Sequence, residues 1–441
     1  MPHIVIIGNG ISGITAARHI RKKSDHKITV IGDETKYFYS RTALMYIYMG
    51  HMKFEHTQPY EPEFWKKNRI DLVHARVEKI NTDKMELTLN NGASISWDKL
   101  IIATGSVSNK FGWPGQNLKG VQGLYSIQDV EELERNTHPW NAKVSERRVK
   151  KAIIVGGGLI GVELAEMLHT RGIQVSFLIR EKKFWGSVLP KEEAELVARH
   201  LKEHHVEILY DTELNEIHGD ENSRVKSITT KNGEIIECQF VGLTAGVSPN
   251  IAWLSGTDIA TNRGVLVNRF LETNVENVYA LGDCVEFTEA WPGRKNIEQV
   301  WYTGRMMGET VAKTICGNRT AYQPGNWFNS AKFFDIEYQT YGTVNANLQD
   351  GEGQFYWEHS SGKICVKMVF DISTRTFKGI NTFGIRMLHD VFDRWLNERQ
   401  TIDYVILHLK EANFDPEFFN RYEVEIRSAF TLSVNVQNHT A

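Results

Sequence analysis

The stretch "AIIVGGGLIGVELAEML", Ala152 to Leu168, decides the fold, and "IVIIGNGISGITAARHI", Ile4 to Ile20, has the same construction. Each is a short apolar run that ends on glycine, then G-x-G-x-x-G, then residues at helical spacing. An apolar run bounded by glycine reads as a buried strand. Ala16, Ala17 and Ile20 behind the first turn read as the inner face of a helix. In such a strand–turn–helix unit the three glycines have separate duties. The first makes the tight turn, the second lets a pyrophosphate approach the backbone, and the third lets helix and strand close together. Free N–H groups at the helix start face the anion, and the helix dipole adds ~0.3–1 kcal/mol, up to ~2 when partly buried. Gly8, Gly10 and Gly13, with Ile11 and Ser12 between them, therefore form one candidate dinucleotide corner. Gly156, Gly158 and Gly161, with Leu159 and Ile160, form a second.

The corners differ at the end of the next strand. A ribose-binding acid is expected about 20 residues past the motif. Asp33 stands 20 residues after Gly13, with Glu34 beside it. After the second corner the strand ends "FLIREKK", with Ile179 and Arg180 where the acid would be. Arg180, with Lys182 and Lys183, can accommodate a 2′-phosphate or serve as a solvated charged loop; the first option favours NADPH over NADH. Two dinucleotide sites in one chain suggest a coupling. A nicotinamide delivers electrons in pairs, and a flavin accepts the pair and releases electrons singly.

The bulk composition agrees. The chain has 441 residues, 41% hydrophobic and 24% charged, enough for two to four domains with ordinary cores. A net charge of −3 argues against nucleic acid or an anionic membrane as the main partner. No run approaches the ~18 apolar residues of a membrane span, and the N-terminus has no basic leader or cleavage signal, so a cytoplasmic protein is expected. The four cysteines, Cys238, Cys284, Cys316 and Cys365, have no CxxC or CxxxxC spacing and read as reduced thiols. No metal site is expected.

Further along, "FGWPGQNLKG" (Phe111 to Gly120) reads as a linker. From about Asn326 alternating segments such as "QFYWEHSSG" and "KICVKMVFD" predict antiparallel strands. Helical segments follow from Ile385 to about Glu411, and the final "AFTLSVNVQNHTA" reads as a strand or loose tail. The expected fold class is α/β. Two Rossmann-like dinucleotide-binding domains, 1–118 with 255–325 and 119–254, are followed by a C-terminal α+β interface domain, 326–441.

Several further motifs, in order, resemble the FAD-dependent pyridine nucleotide-disulfide oxidoreductases over roughly residues 3–345. They are "LIIATGS" (Leu100 to Ser106), "WPG" (Trp113 to Gly115), "TAGVSPN" (Thr244 to Asn250) and "TNVENVYALGDC" (Thr273 to Cys284). More narrowly, the likeness is to the branch without a redox disulfide, with ferredoxin and rubredoxin reductases, nitrite-reductase flavoprotein regions and apoptosis-inducing-factor-like proteins. The resemblance implies that FAD lies against Ala103, Thr104 and Gly105, that Gly282 and Asp283 meet its ribityl chain, and that Gly246 belongs to the NAD(P)H site. "YSRTAL" places Arg41 and Thr42 beside the flavin, and "ARV" places backbone contacts to adenine at Arg76 and Val77. "NIEQVWYTGRMMGE" makes Val300 and Trp301 candidates for the flavin wall. "GVELA" puts Glu163 near nicotinamide and flavin, as a positioning acid in the catalytic site. The lysine that partners this acid in many relatives is replaced by Tyr46. "SRTALMYIYMG" has no cysteine where disulfide reductases and peroxidases of the wider family carry theirs, so thiol chemistry is not expected.

The function implied is hydride transfer from NAD(P)H to FAD, then electron transfer to an acceptor such as a ferredoxin- or rubredoxin-type protein, with a homodimer as one candidate assembly. The rivals are an NAD(P)H oxidase or quinone reductase, and an apoptosis-inducing-factor-like redox-sensing binding protein.

Overall fold

The computed structural model describes residues 1–138, 149–415 and 417–439. They fall into two compact units. The first comprises Met1–Phe111, a stretch beginning at Gln122, and Gly246–Pro324; the second comprises Gly112–Val121, a stretch ending at Ala245, and the chain from Gly325 onward.

The first unit is built on five parallel strands in the order Val278–Ala280, Lys99–Ile102, His3–Ile7, Lys27–Gly32, Ile70–His74. A sheet covered on both faces needs apolar residues at successive positions rather than alternate ones. Ile4, Val5 and Ile6 are fully buried, as are Leu100, Ile101 and Ile102. Ile7 lies opposite both Ile31 and Ile102, and Ile102 lies opposite Ala280. The chain therefore leaves the sheet side by side at Gly8, Ala103 and Leu281, at the carboxyl edge where open parallel sheets hold ligands. The helix Ile11–Lys23 packs on the helix Trp301–Ile315. A Cβ on Gly308 would stand 2.6 Å from the Ser12 carbonyl oxygen, so only glycine permits that approach.

The second unit repeats the plan. Parallel strands run in the order Glu207–Leu209, Gln174–Leu178, Lys151–Val155, Phe240–Leu243. A three-stranded antiparallel sheet, Leu214–Gly219, Val225–Thr230 and Ile235–Glu237, covers one side. The same unit contains a five-stranded antiparallel sheet ordered Phe328–Phe333, Ile336–Gly342, Phe377–Phe383, Cys365–Asp371, Glu352–Glu358. Its own core includes Phe355, Met368, Ile380, Phe392 and Trp395.

Two expectations need correction. The segment 119–254 does not begin as one piece: the helix Ile127–Thr137 belongs to the first unit, and Gly246 also falls there. Within the C-terminal "AFTLSVNVQNHTA", residues 429–439 are neither strand nor tail but the end of the helix Glu423–His439; the last two residues lie outside the described ones. Ile426 and Phe430, four residues apart, are both buried in the antiparallel sheet's core. Their helical spacing outweighs the β-branched residues in the run.

Candidate functional site

The three glycines of the first corner behave as three different residues. Gly8 has φ +112°, and a Cβ there would lie 2.1 Å from the Ala103 carbonyl oxygen. A Cβ on Gly13 would lie 2.1 Å from the Gly8 carbonyl oxygen. A Cβ on Gly10 would meet nothing within 4 Å. The outer two are closed by protein, and the middle one faces open space.

The second corner has the same pattern with looser contacts. Gly156 has φ +105° and a Cβ would stand 2.9 Å from the Thr244 carbonyl oxygen. A Cβ on Gly161 would be 2.4 Å from the Gly156 carbonyl oxygen, whereas one on Gly158 would have only Trp185 Nε1, at 3.9 Å.

Both helices start uncapped. Gly10 and Gly158 offer no side chain to the helix N-terminus, and neither first turn carries an acid. The first N–H groups of each helix are left to an external acceptor. A cradle that a Cβ would partly fill, under an uncapped helix end, fits a nucleotide pyrophosphate in both places.

Around the first corner the strand ends bring Gly8, Ala103, Thr104, Gly105, Gly282 and Asp283 together. The Thr104 hydroxyl donates to the Asn250 carbonyl at 2.8 Å, and Asn250 N–H donates to the Gly105 carbonyl at 2.9 Å. Ser12 is buried, its Oγ 2.3 Å from where a Gly282 Cβ would be. The Asp283 carboxylate accepts from Ser106 Oγ at 3.2 Å, and Gln299 Nε2 donates to that hydroxyl at 2.7 Å. Burial pushes the Asp283 carboxyl up; Ser106, Arg41 and Tyr125 oppose the shift. Tyr125 accepts from Ser106 N–H at 2.9 Å, and its phenol is pushed up to about 12 by burial and then by Asp283.

Arg41 lies over the Tyr125 ring at 4.4 Å and donates to the Tyr125 carbonyl at 2.5 Å. Its guanidinium pairs with Glu34 at 2.5 Å. Glu34 also accepts from the Tyr39 hydroxyl and from Ile127 N–H at 3.0 Å. Its carboxylate is thus committed to protein, whereas the Asp33 side chain is more than half exposed. Thr42 is exposed and hydrogen-bonded to Ser40 at 3.1 Å. Arg76 departs from expectation: its N–H donates to Asn90 Oδ1 at 3.1 Å and its carbonyl accepts from Asn90 N–H at 2.9 Å. The exposed Arg76 side chain instead reaches Asp33 at 3.6 Å. Val77 is buried and paired with Leu89. Val300 precedes the helix that Trp301 opens, and the indole N–H of Trp301 is buried with no hydrogen-bond partner.

Around the second corner, Gly156 to Gly161 meet Thr244, whose hydroxyl donates to the Gly156 carbonyl at 3.0 Å. Ile179, in the acid's position, is buried, and Arg180 is three-quarters exposed and held by Glu181 at 3.0 Å. An open cavity of about 680 Å³ has three lysines, Lys182, Lys183 and Lys191, and two acids, Glu181 and Glu195, in its lining. Glu163 sits one turn into the helix Leu159–Thr170, partly buried. Burial pushes its carboxyl up to about 7; Glu166 adds to the shift and Lys332 opposes it. Lys332 Nζ pairs with Glu166 at 2.8 Å, so a lysine from the antiparallel sheet serves these acids. Gly246 follows Ala245 directly, and its carbonyl accepts from Asn109 N–H at 3.1 Å. Thr244, Tyr125, Ser106, Gln299 and Lys332 are the residues that sequence reasoning did not single out.

The cysteines are free thiols, three of them buried. Burial raises Cys238 to about 12 and Cys284 to about 11, leaving both far from thiolate at neutral pH. No helix among the described residues is long and apolar enough to cross a membrane.

A family model described as pyridine nucleotide-disulphide oxidoreductase matches residues 2–308. The assimilatory nitrate reductase electron transfer subunit of Bacillus subtilis is 29% identical over 317 residues, 71% of this chain and 39% of that protein. The chain thus spans about two-fifths of that relative's length. NADH-rubredoxin oxidoreductase of Clostridium acetobutylicum is 28% identical over 320 residues, 72% of this chain and 76% of that one. The NAD-dependent persulfide reductase from A. fulgidus shares the fold, with a TM-score of 0.84 at 23% identity, over 99% of this chain and 84% of that chain. With its two glycine corners inside the matched span, this chain belongs to the pyridine nucleotide-disulphide oxidoreductase family, whose members bind FAD and NAD(P)H.

Proposed function

We propose that this chain is an NAD(P)H-dependent flavoprotein oxidoreductase that passes electrons to a separate acceptor without a redox disulfide. The observation that carries the reading is the open middle glycine, Gly10 and Gly158, between two closed ones in each corner. FAD is assigned to the first corner. The N–H groups after Gly10 take its pyrophosphate, Asp33 its ribose and Asp283 its ribityl hydroxyls. Ala103, Thr104, Gly105, Val300 and Trp301 wall the flavin, and the buried Trp301 N–H is a donor seeking a partner. NAD(P)H is assigned to the second corner, at Gly156, Gly158 and Gly161 with Leu159, Ile160 and Thr244.

Once bound, the nicotinamide and flavin supply the hydride and single-electron chemistry. The protein contributes positioning and electrostatics. Arg41, fixed by Glu34 and Tyr125, is a permanent cation in the flavin unit. Glu163, with a carboxyl near neutrality, can hold or release a proton beside the nicotinamide. Arg180 is engaged by Glu181 and Lys191 by Glu195, so recognition of a 2′-phosphate falls to Lys182 and Lys183 at the cavity. The acceptor is assigned to the rubredoxin or ferredoxin class, the former being the substrate in the name of the Clostridium relative. Anaerobic titration tests this: purified protein is to be yellow, and NADH or NADPH is to bleach it. A chain that takes up no flavin, or a flavin bleached by neither, contradicts the proposal.

A further inference from the structure

The helix Lys191–Glu203 runs into "HLKEHH", His200 to His205. Its last turn meets the hairpin joining Phe328–Phe333 to Ile336–Gly342, inside the second unit. His200 and His204 are one helical turn apart and share a face. Asp335 is at the hairpin tip. His200 Nε2 is 2.6 Å and His204 Nε2 3.1 Å from the same oxygen, Asp335 Oδ1.

The pattern is odd as a hydrogen-bond network. His200 is 1% exposed, yet neither of its ring nitrogens has a hydrogen-bond partner. Its Nε2 stands instead in ion-pair contact with Asp335. Buried polar atoms left in this state call for an ion, a water or a function.

We propose that His200, His204 and Asp335 form a binding site for a borderline divalent transition-metal ion, Zn²⁺ in the first instance. Two imidazole nitrogens and a carboxylate are a ligand set suited to it, with the fourth position left to water. The three ligand atoms lie within 4.8 Å of one another. Tetrahedral bonds of ~2.0–2.2 Å place ligand atoms about 3.3–3.5 Å apart, so the site closes on an ion with shifts below about 1 Å. Glu203 Oε2 lies 3.7 Å from His200 Nδ1, on the side of the ring where a supporting carboxylate stands behind a ligating histidine, but beyond hydrogen-bond distance. Phe334 stacks on His204 at 4.6 Å and fixes the second ring. One group opposes: Lys363 Nζ is 3.9 Å from Asp335 Oδ2 and 3.5 Å from Glu203, and must swing outward on its half-exposed stem. The ion would clip the last turn of a nucleotide-domain helix to the first hairpin of the antiparallel sheet.

The test uses the 441-residue chain, stripped with chelator and titrated with zinc chloride by calorimetry, with metal content measured after gel filtration. One zinc per chain is expected, raising Tm. His204→Ala and Asp335→Asn are each to weaken it at least about tenfold with flavin content unchanged, and Lys363→Ala is to tighten it. Should His204→Ala fail to fold, Asp335→Asn at the hairpin tip decides alone. No bound zinc, or equal binding by wild type and Asp335→Asn, overturns the proposal.

Discussion

The two glycine corners have the same construction and different tolerances. At the first, the exit of the neighbouring strand presses on Gly8, and a Cβ would be 2.1 Å from the Ala103 carbonyl oxygen. At the second, the equivalent approach to the Thr244 carbonyl oxygen is 2.9 Å. An exposed acid, Asp33, lies downstream of the first; a buried Ile179 and a basic rim lie downstream of the second. The comparison teaches that one backbone plan can be closed with different tightness against its neighbouring strand. On the function proposed above, the residues at the end of each corner's second strand read the adenosine end.

Breaking the comparison begins with the tightest contact. Gly8→Ala combines a backbone conformation alanine disfavours with a clash on main chain, and is expected to cost more than about 3 kcal/mol and abolish flavin retention. Gly156→Ala carries the same backbone strain with a milder clash, about 1–3 kcal/mol, and leaves the protein yellow. Thermal unfolding and flavin absorbance rank the two; a larger loss at Gly156 would invert the account.

The basic rim sharpens the difference in ligand. Replacing Lys182 and Lys183 together by alanine is expected to raise the KM for NADPH about tenfold, close to 1.4 kcal/mol, with the KM for NADH unchanged. An equal change for both nucleotides would show that these lysines are only a solvated surface.

The smallest effect concerns stability away from either corner. Glu193 is fully buried, bonded to Asn381 at 2.9 Å, and its carboxyl is pushed up to about 8 by burial, which Asn381 and Lys367 oppose. Between about pH 4.5 and 8 the folded chain keeps a proton that the unfolded chain has lost. Stability is therefore lost as pH rises through that window. Glu193→Gln, neutral at every pH, is expected to gain on wild type across it, by about 1–3 kcal/mol at pH 8. Unfolding midpoints at pH 5 and pH 8 measure this; a constant difference would contradict it.

The corners are legible in the sequence because their chemistry is local. Strand, turn and helix start lie within a dozen residues, and each glycine's duty follows from chain geometry. Residues that complete each cradle are harder to see. Tyr125 and Lys332 arrive from segments far away in sequence that no short motif marks, and Gln299 stands inside a motif that drew attention to its neighbours Val300 and Trp301. Glu34 reads as equivalent to Asp33 until Arg41 and Ile127 claim its carboxylate. The last helix is obscured because a β-branched run hides the Ile426–Phe430 spacing. The histidine cluster is invisible along the chain because His200 and His204 need Asp335, 131 positions beyond His204.

The most direct test of the central claim is a count of nucleotide sites in wild type, Gly10→Ala and Gly158→Ala. Both substitutions place a methyl in open space, so both variants are expected to fold. Wild type is expected to retain one flavin per chain and to bind one NAD(P)H in calorimetry. Gly10→Ala is to lose flavin, and Gly158→Ala is to keep flavin while binding NAD(P)H at least about tenfold more weakly. Loss of the same ligand in both variants, or of neither, would contradict two separate pyrophosphate cradles.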